Sequence, residues 1–298
     1  MHKLKLDFKP KLTDLIITSA SISGSGPGQG AITRTAGERK SLLYRGKGLE
    51  FDRFRVFTPD DDARMIDWKA SLRANKILVK VYSEEQNKDI IIFFDVSSTM
   101  TYASHKKLKA EYAAELIADL TYNIAQSGDN AGLVMFTDRV VGVIPPQSGM
   151  TQYNKILRML ETAKLYDGRF DLNKALGFLN SIVRRQAIVI LVSDFIGLKG
   201  SWKQAISALS SRMALIGIMI RDPLDDRLPD QQGQLVISDP FTEEEQLVEP
   251  RRIAEEYARI NRQHINEIKT VFRKKRSDLL ILHTDQDYRK PVRNFFMS

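Results

Sequence analysis

From Asp89 onward two hydrophobic patterns alternate along the chain. Short unbroken apolar runs at 90–94, 131–136, 140–144, 187–192, 214–220 and 279–283 read as strands, and runs without polar interruption suit strands covered on both faces. Between them, apolar residues recur at helical spacing over 106–126, 152–163, 172–184, 202–211 and 251–275. Alternation of this kind predicts an α/β domain, a doubly wound and mostly parallel sheet with helices on both faces. The runs at 131–136 and 140–144 are joined only by Thr137, Asp138 and Arg139. That link is too short for a crossover helix, so the pair should form a hairpin and give the sheet one antiparallel edge strand.

The pattern before Asp89 is different. Residues 1–47 include a Gly/Ser-rich stretch, 19–30, that reads as loop. Residues 48–88 carry Phe51, Phe54, Val56 and Phe57, then a charged segment ending in Trp68, then the apolar run 77–82. This reads as a β-rich extension, short strands around a loop. The expected organisation is therefore an N-terminal segment 1–47, an extension 48–88 and the α/β domain 89–298.

Candidate chemistry sits at the strand ends, where open α/β sheets bind their ligands. The run 90–94 leads directly into Asp95, Ser97 and Thr99, which place one carboxylate and two hydroxyls within five residues. Hard oxygen donors of this kind suit Mg²⁺ or Mn²⁺ and suit zinc or copper poorly. A second acid, Asp194, follows the run 187–192. If the two strands are neighbours, Asp194 faces Asp95 across one crevice, and two converging carboxylates favour a cation between them.

Composition narrows the field. The chain has 298 residues and no cysteine, which excludes disulfides, thiol catalysis and iron–sulfur clusters. The four histidines, His2, His105, His264 and His283, are scattered and not at ligand spacing. No apolar run is long enough to span a bilayer and the first residues are charged throughout, so the expectation is a cytoplasmic protein. Lys and Arg exceed Asp and Glu by 45 to 37, and nine of the basic residues lie between Arg251 and Arg276. There they leave Ile253, Tyr257, Ile260, His264, Ile268 and Phe272 as the inward seam of an amphipathic helix, so a solvated basic face is expected rather than nucleic-acid binding.

The pattern Asp95-x-Ser97-x-Thr99 followed by Met100 resembles the metal-ion-dependent adhesion site of von Willebrand factor A domains. The segment Gly48 to Trp68, with Arg73, Val79, Lys80, Glu84 and Glu85, and the later landmarks Asp222-Pro223, Leu228-Pro229, Thr284-Asp285 and Phe295-Phe296, resembles a bacterial family known as domain of unknown function 58. The resemblance implies a von Willebrand A-like domain with an N-terminal β extension, working as an adaptor or chaperone-like partner of a MoxR-type AAA+ ATPase on a further client protein. It also implies a metal site of Asp95, Ser97, Thr99 and Asp194, completed by an acidic partner residue. In the adhesion-type site a third-loop Thr is a direct ligand. Phe170 stands in the matching place here, and the neighbouring Asp171 either supplies an oxygen or caps the helix that starts at Leu172. Asp60 stands where the family pattern has Gly, so the turn there is expected to differ.

The expected function is thus a non-enzymatic protein-interaction module. A second reading makes Asp95 a phosphoryl-accepting nucleophile with Mg²⁺ held by Asp194. Against it, Ser97 stands where that chemistry wants a second carboxylate, and lysines appear only at Lys106 and Lys107. A third is nucleic-acid binding through the basic C-terminal helix. In the segment 53–73, Arg53, Arg55, Arg64 and Arg73 interleave with Asp60, Asp61, Asp62 and Asp67. This reads as salt bridges pinning a long loop with Trp68 as a buried anchor; alternatively Arg55, Asp61, Asp62, Arg64, Asp67, Trp68 and Arg73 form a partner-binding surface.

Overall fold

The computed structural model describes residues 49–84, 87–183, 187–230, 233–238 and 245–297. The Gly/Ser-rich stretch and the rest of the expected N-terminal segment lie outside them. The chain divides into two compact units, which meet in sequence between Asn87 and Lys88.

In the larger unit six strands form one sheet: β3 (Asp89–Asp95), β4 (Asn130–Phe136), β5 (Val140–Gln147), β6 (Ile188–Ser193), β7 (Ala214–Arg221) and β10 (Asp278–His283). Their order is β10-β7-β6-β3-β4-β5, and every neighbouring pair is parallel except β4 with β5. The α/β fold and the antiparallel edge expected from the sequence are both present. Pro145 and Pro146 lie on β5, an edge strand, where its register with β4 shifts between Ala131 and Leu133, and the Gln152 side-chain amide donates to the Ala131 and Pro145 carbonyls there.

Strand parity sorts the core into two layers. Ile90, Ile92 and Phe94 of β3 face a cluster filled by α2 (Lys109–Ser127), α3 (Met150–Leu160) and α8 (Arg289–Met297). Ile91 and Phe93 face the other side, with α4 (Leu172–Ile182), α5 (Trp202–Ser210) and α7 (Pro250–Lys274). The α7 seam holds at Ile268 and Phe272, which are buried, but Ile260 turns outward. At Gly217 a Cβ would come within 2.7 Å of the Phe272 ring, so the bare backbone of β7 is what lets α7 settle there. A short helix α6 (Pro223–Asp226) and a separate antiparallel pair, β8 (Leu235–Ser238) with β9 (Glu245–Val248), were not expected from the sequence pattern. Among the described residues no helix is long and apolar enough to cross a membrane.

In the smaller unit β1 (Leu49–Val56) pairs antiparallel with β2 (Leu78–Glu84). The stretch between them is more than the loop expected. Asp62 caps a single turn at Ala63–Met65, and Asp67 caps a helix α1 (Trp68–Ala74) by accepting the Ala70 N–H. Asn75 ends that helix in the left-handed region, where a short polar side chain is tolerated. Asp60 keeps ordinary backbone angles, so the turn does without glycine's freedom.

Candidate functional site

Parallel strands β3, β6 and β7 lie side by side and end in Asp95, Ser193–Asp194 and Arg221–Asp222. The structure therefore brings together Asp95, Ser97, Thr99 and Asp194, as the spacing suggested, but it seals them. Asp95 and Asp194 are both 0% exposed, and Ser97 and Thr99 are buried as well. One Asp95 oxygen accepts the Ser97 N–H at 2.9 Å and the other accepts the Ser193 hydroxyl at 2.5 Å. The Ser193 hydroxyl in turn accepts the Phe195 N–H. The Ser97 and Thr99 hydroxyls lie within hydrogen-bond distance of each other, 3.2 Å, and the Ser97 side chain also supports the Asp95 carboxylate.

Asp194 is satisfied in the same way. Its Oδ1 accepts the Ile196 N–H, and its Oδ2 accepts the ammonium of Lys109 at 2.7 Å. Lys109, the first residue of α2, is 1% exposed and donates a second bond, 3.0 Å, to Asp225 of α6. Asp225 also accepts the Asp222 N–H. Asp222 takes the Ser104 N–H and hydroxyl and the Leu224 N–H. One residue to the side, the buried Arg221 donates to Asp226, which also holds His283.

The electrostatics follow from this burial. Loss of water, reinforced by the nearby Asp194 charge, holds Asp95 well above the ordinary carboxylate range. For Lys109 burial works toward the neutral amine, but Asp194 and Asp225 outweigh it and raise the pKa, so the ammonium stays charged. Burial likewise opposes the charge of Asp222, and the Ser104 and Leu224 donors overcome it and hold the group below the usual range.

Sequence reasoning missed Lys109, Ser193 and Asp225. A signal for Lys109 was available: a cation in the first turn of a helix opposes the helix dipole, so it needs a compensating reason to be there. For Asp225 the signal was an acid three residues beyond Asp222, past the end of a third strand.

The third loop of the expected metal site takes a different part. The Gly168 carbonyl accepts the Ser98 N–H, and Asp167 accepts the Ser98 hydroxyl at 2.6 Å, so the loop is laced to the residues after β3. Phe170 packs its ring against Phe136, 6.2 Å between centroids. Asp171 caps α4 through the Lys174 N–H and pairs with the Lys174 ammonium; the capping role prevails over that of a metal ligand. Mg²⁺ and Mn²⁺ need several oxygen ligands with room for water. Both Asp95 oxygens and both Asp194 oxygens are already bonded within the protein, Phe170 offers none, and the set has no exposed face for water or for a partner's carboxylate. The residues present do not fit a divalent ion, and among the described residues no group of three or more His, Asp or Glu side chains could hold one.

The residues expected to form a partner-binding surface are the reverse case. Asp61 accepts from Arg55 and from both the N–H and hydroxyl of Thr58, which together hold its pKa down to about 2. Arg64 pairs with Asp62, and Asp67 pairs with Lys80 while capping α1. Arg73 stands exposed in the last turn of α1. The salt bridges expected here are in part present, but Trp68 is no anchor: it is 65% exposed, and Leu72 one helical turn on is 83% exposed. The side of α1 toward β2 is taken by Ser71, whose hydroxyl donates to the Asp67 carbonyl and accepts the Leu78 N–H.

Solved structures that resemble this chain include an aerotolerance-related membrane protein from Bacteroides fragilis (13% identity, 71% of this chain and 99% of that one, TM-score 0.49). Another is the SpRpn10 VWA domain (11% identity, 70% and 94%, TM-score 0.41). An uncharacterised protein of Mycobacterium tuberculosis strain H37Rv is 25% identical over 260 residues, covering 86% of this chain and 81% of that protein. One of Mycobacterium avium is 26% identical over 158 residues, covering 52% of this chain and 92% of that protein. The family described as "Protein of unknown function DUF58" matches residues 53–267, most of the chain and both of its units, and the chain belongs to that family.

Proposed function

We propose that this chain is a non-catalytic protein-interaction module that docks on a MoxR-type AAA+ ATPase through the exposed face of α1 in the smaller unit. The observation that carries the reading is the pair Trp68 and Leu72, one turn apart on one face of a seven-residue helix and left largely in water. Large apolar side chains gathered on a small surface mark a contact site, and tryptophan is prominent among the residues that dominate binding energy. Around them Arg55, Arg64 and Arg73, with the acids Asp61, Asp62 and Asp67, make a polar rim that sets orientation more than affinity. The class of partner rests on the family resemblance of the segment from Gly48 to Trp68.

The burial of Asp95 supports the same reading against a phosphohydrolase, because a nucleophile must touch its substrate and both oxygens of this carboxylate are engaged inside the protein. The basic face of α7 is partly answered by acids, with Arg252 on Glu249, Arg259 on Glu256 and Arg251 on Asp230, which weighs against a phosphate-binding face.

The test is a calorimetric titration with a purified MoxR-type ATPase. Leu72→Glu combined with Trp68→Ser should weaken binding at least ~10-fold, the scale of a buried anchor. Ile260→Glu, an exposed apolar position on α7, should leave it unchanged. Equal affinity in the α1 variant and the unaltered protein would move the contact elsewhere.

A further inference from the structure

We infer that the Lys109 ammonium is the resident cation of the strand-end crevice, standing in place of the divalent ion that the Asp95-x-Ser97-x-Thr99 pattern suggests. The argument begins with charge. Asp194 and Asp225 are brought to one point by the ends of β6 and β7, without water to screen them. Converging buried carboxylates need a positive charge between them or a shared proton. Lysine is rarely buried unless paired, and here the side chain is 1% exposed with its head 2.7 Å from Asp194 and 3.0 Å from Asp225.

Geometry adds a second strand of support. A metal that bridges a crevice takes oxygens from several loops at once. The ammonium does the same with directed hydrogen bonds, since it carries three donors and no acceptor. From the start of α2 it ties the turn after β6 to the helix after β7, so three separate segments close on one charge. Asp95 is satisfied instead by the Ser193 hydroxyl and the Ser97 N–H. Phe170, where a coordinating Thr would stand, needs no compensation if no ion is held there. The edge is then a metal-independent lock. Divalent ions would not govern what the protein binds.

The experiment has two arms, neither of which depends on the ATPase, so its failure and the failure of the docking reading are distinguishable. In the first, Mn²⁺ and Mg²⁺ are titrated into the metal-stripped full chain by calorimetry, and thermal unfolding is compared with and without chelator. No saturable binding and no shift in melting temperature are expected. Saturable binding that Asp95→Asn removes would overturn the inference; saturable binding that Asp95→Asn leaves intact belongs to another place and upholds it. In the second arm Lys109→Met keeps most of the stem and removes the charge. Its melting temperature should fall by about 10 °C, the scale for a buried carboxylate pair deprived of its cation. A Lys109→Met protein as stable as the unaltered one overturns the inference. Should the variant fail to fold, that is the expected direction carried further, and the titration of the unaltered chain decides.

Discussion

Two clusters of acids and cations, one at the end of the six-stranded sheet and one in the segment 53–73, use the same residue types to opposite ends. At the sheet edge Asp95, Asp194 and Lys109 are sealed from water, and each partner is fixed by the fold. In the smaller unit Arg55, Arg64 and their aspartates stand at the surface beside an exposed Trp68 and Leu72. The sequence pattern points the other way, to an open site after β3 and a buried anchor at Trp68. What differs is the neighbourhood that the fold supplies. Lys109 closes one cluster from a helix start, and Ser71 takes the inward side of α1 in the other. Residue type locates chemistry; burial decides whether that chemistry faces a ligand or the core.

The contrast is sharpest in the energetics of losing one partner. Asp194→Ala leaves Lys109 buried with Asp225 alone, and breaking a buried pair in this way typically costs about 3–5 kcal/mol. Thermal unfolding should come about 10 °C earlier. Asp61→Ala removes an acid with as many hydrogen-bond partners, yet the pair it breaks is surface-screened, and its melting temperature should stay within about 2 °C of the unaltered protein. Similar losses in both variants would abolish the distinction drawn between the two clusters.

The apolar residues give a milder version of the same comparison. Ile268 is fully buried between α7 and the sheet, so trimming one methyl in Ile268→Val should cost about 1 kcal/mol. Leu72→Val trims a side chain already in water and should change unfolding in denaturant by less than about 0.5 kcal/mol. A loss at Leu72 as large as that at Ile268 would mean that its face is covered within the protein itself, and the docking reading would lose its support.

Much of the fold was legible because its signal is local. The six sheet strands and five of the helices announce themselves by unbroken apolar runs and by helical spacing, and three residues between β4 and β5 dictate a hairpin. Of the elements that escaped, α1, α6 and the β8–β9 pair are short and carry too few periods for spacing to separate them from loop, while α8, as long as α5, escaped although Val292 and Phe296 stand four apart on its buried side. For α1 the information lay in a cap, Asp67, rather than in hydrophobicity. At the candidate site the sequence located Asp95, Ser97, Thr99 and Asp194 because acids and hydroxyls at strand ends are read from neighbours in sequence. It could not show that Lys109 would meet Asp194, 85 positions later, because that pairing depends on how α2 lies across the sheet.

Intermediate in exposure between the sealed and the exposed cluster is a third arrangement that tests the comparison through pH. His283 at the end of β10 donates to Asp226 at 2.9 Å, and Arg221 holds the same carboxylate. The Asp226 bond raises His283 against the opposing effect of burial, above its ordinary 6.5; burial opposes the charge of Asp226, and the His283 and Arg221 donors overcome it and lower the group below its ordinary 3.8. A raised histidine contributes stability that is fully present below about pH 6.5 and is lost as pH rises through the folded value. A lowered aspartate contributes stability that is present above about pH 3.8 and is lost as pH falls through its folded value. The pair is therefore worth most between about pH 4 and 6.5, and with both side chains about a third exposed its worth should be about 0.5–1 kcal/mol. His283→Gln keeps a donor without the charge. Relative to it, the unaltered protein should melt about 1–3 °C higher at pH 5.5, with the gap narrowing toward pH 8.5. A gap of that size that stayed constant across the range would assign the contribution to hydrogen-bond shape, and charge would then matter only where water is fully excluded, at Lys109.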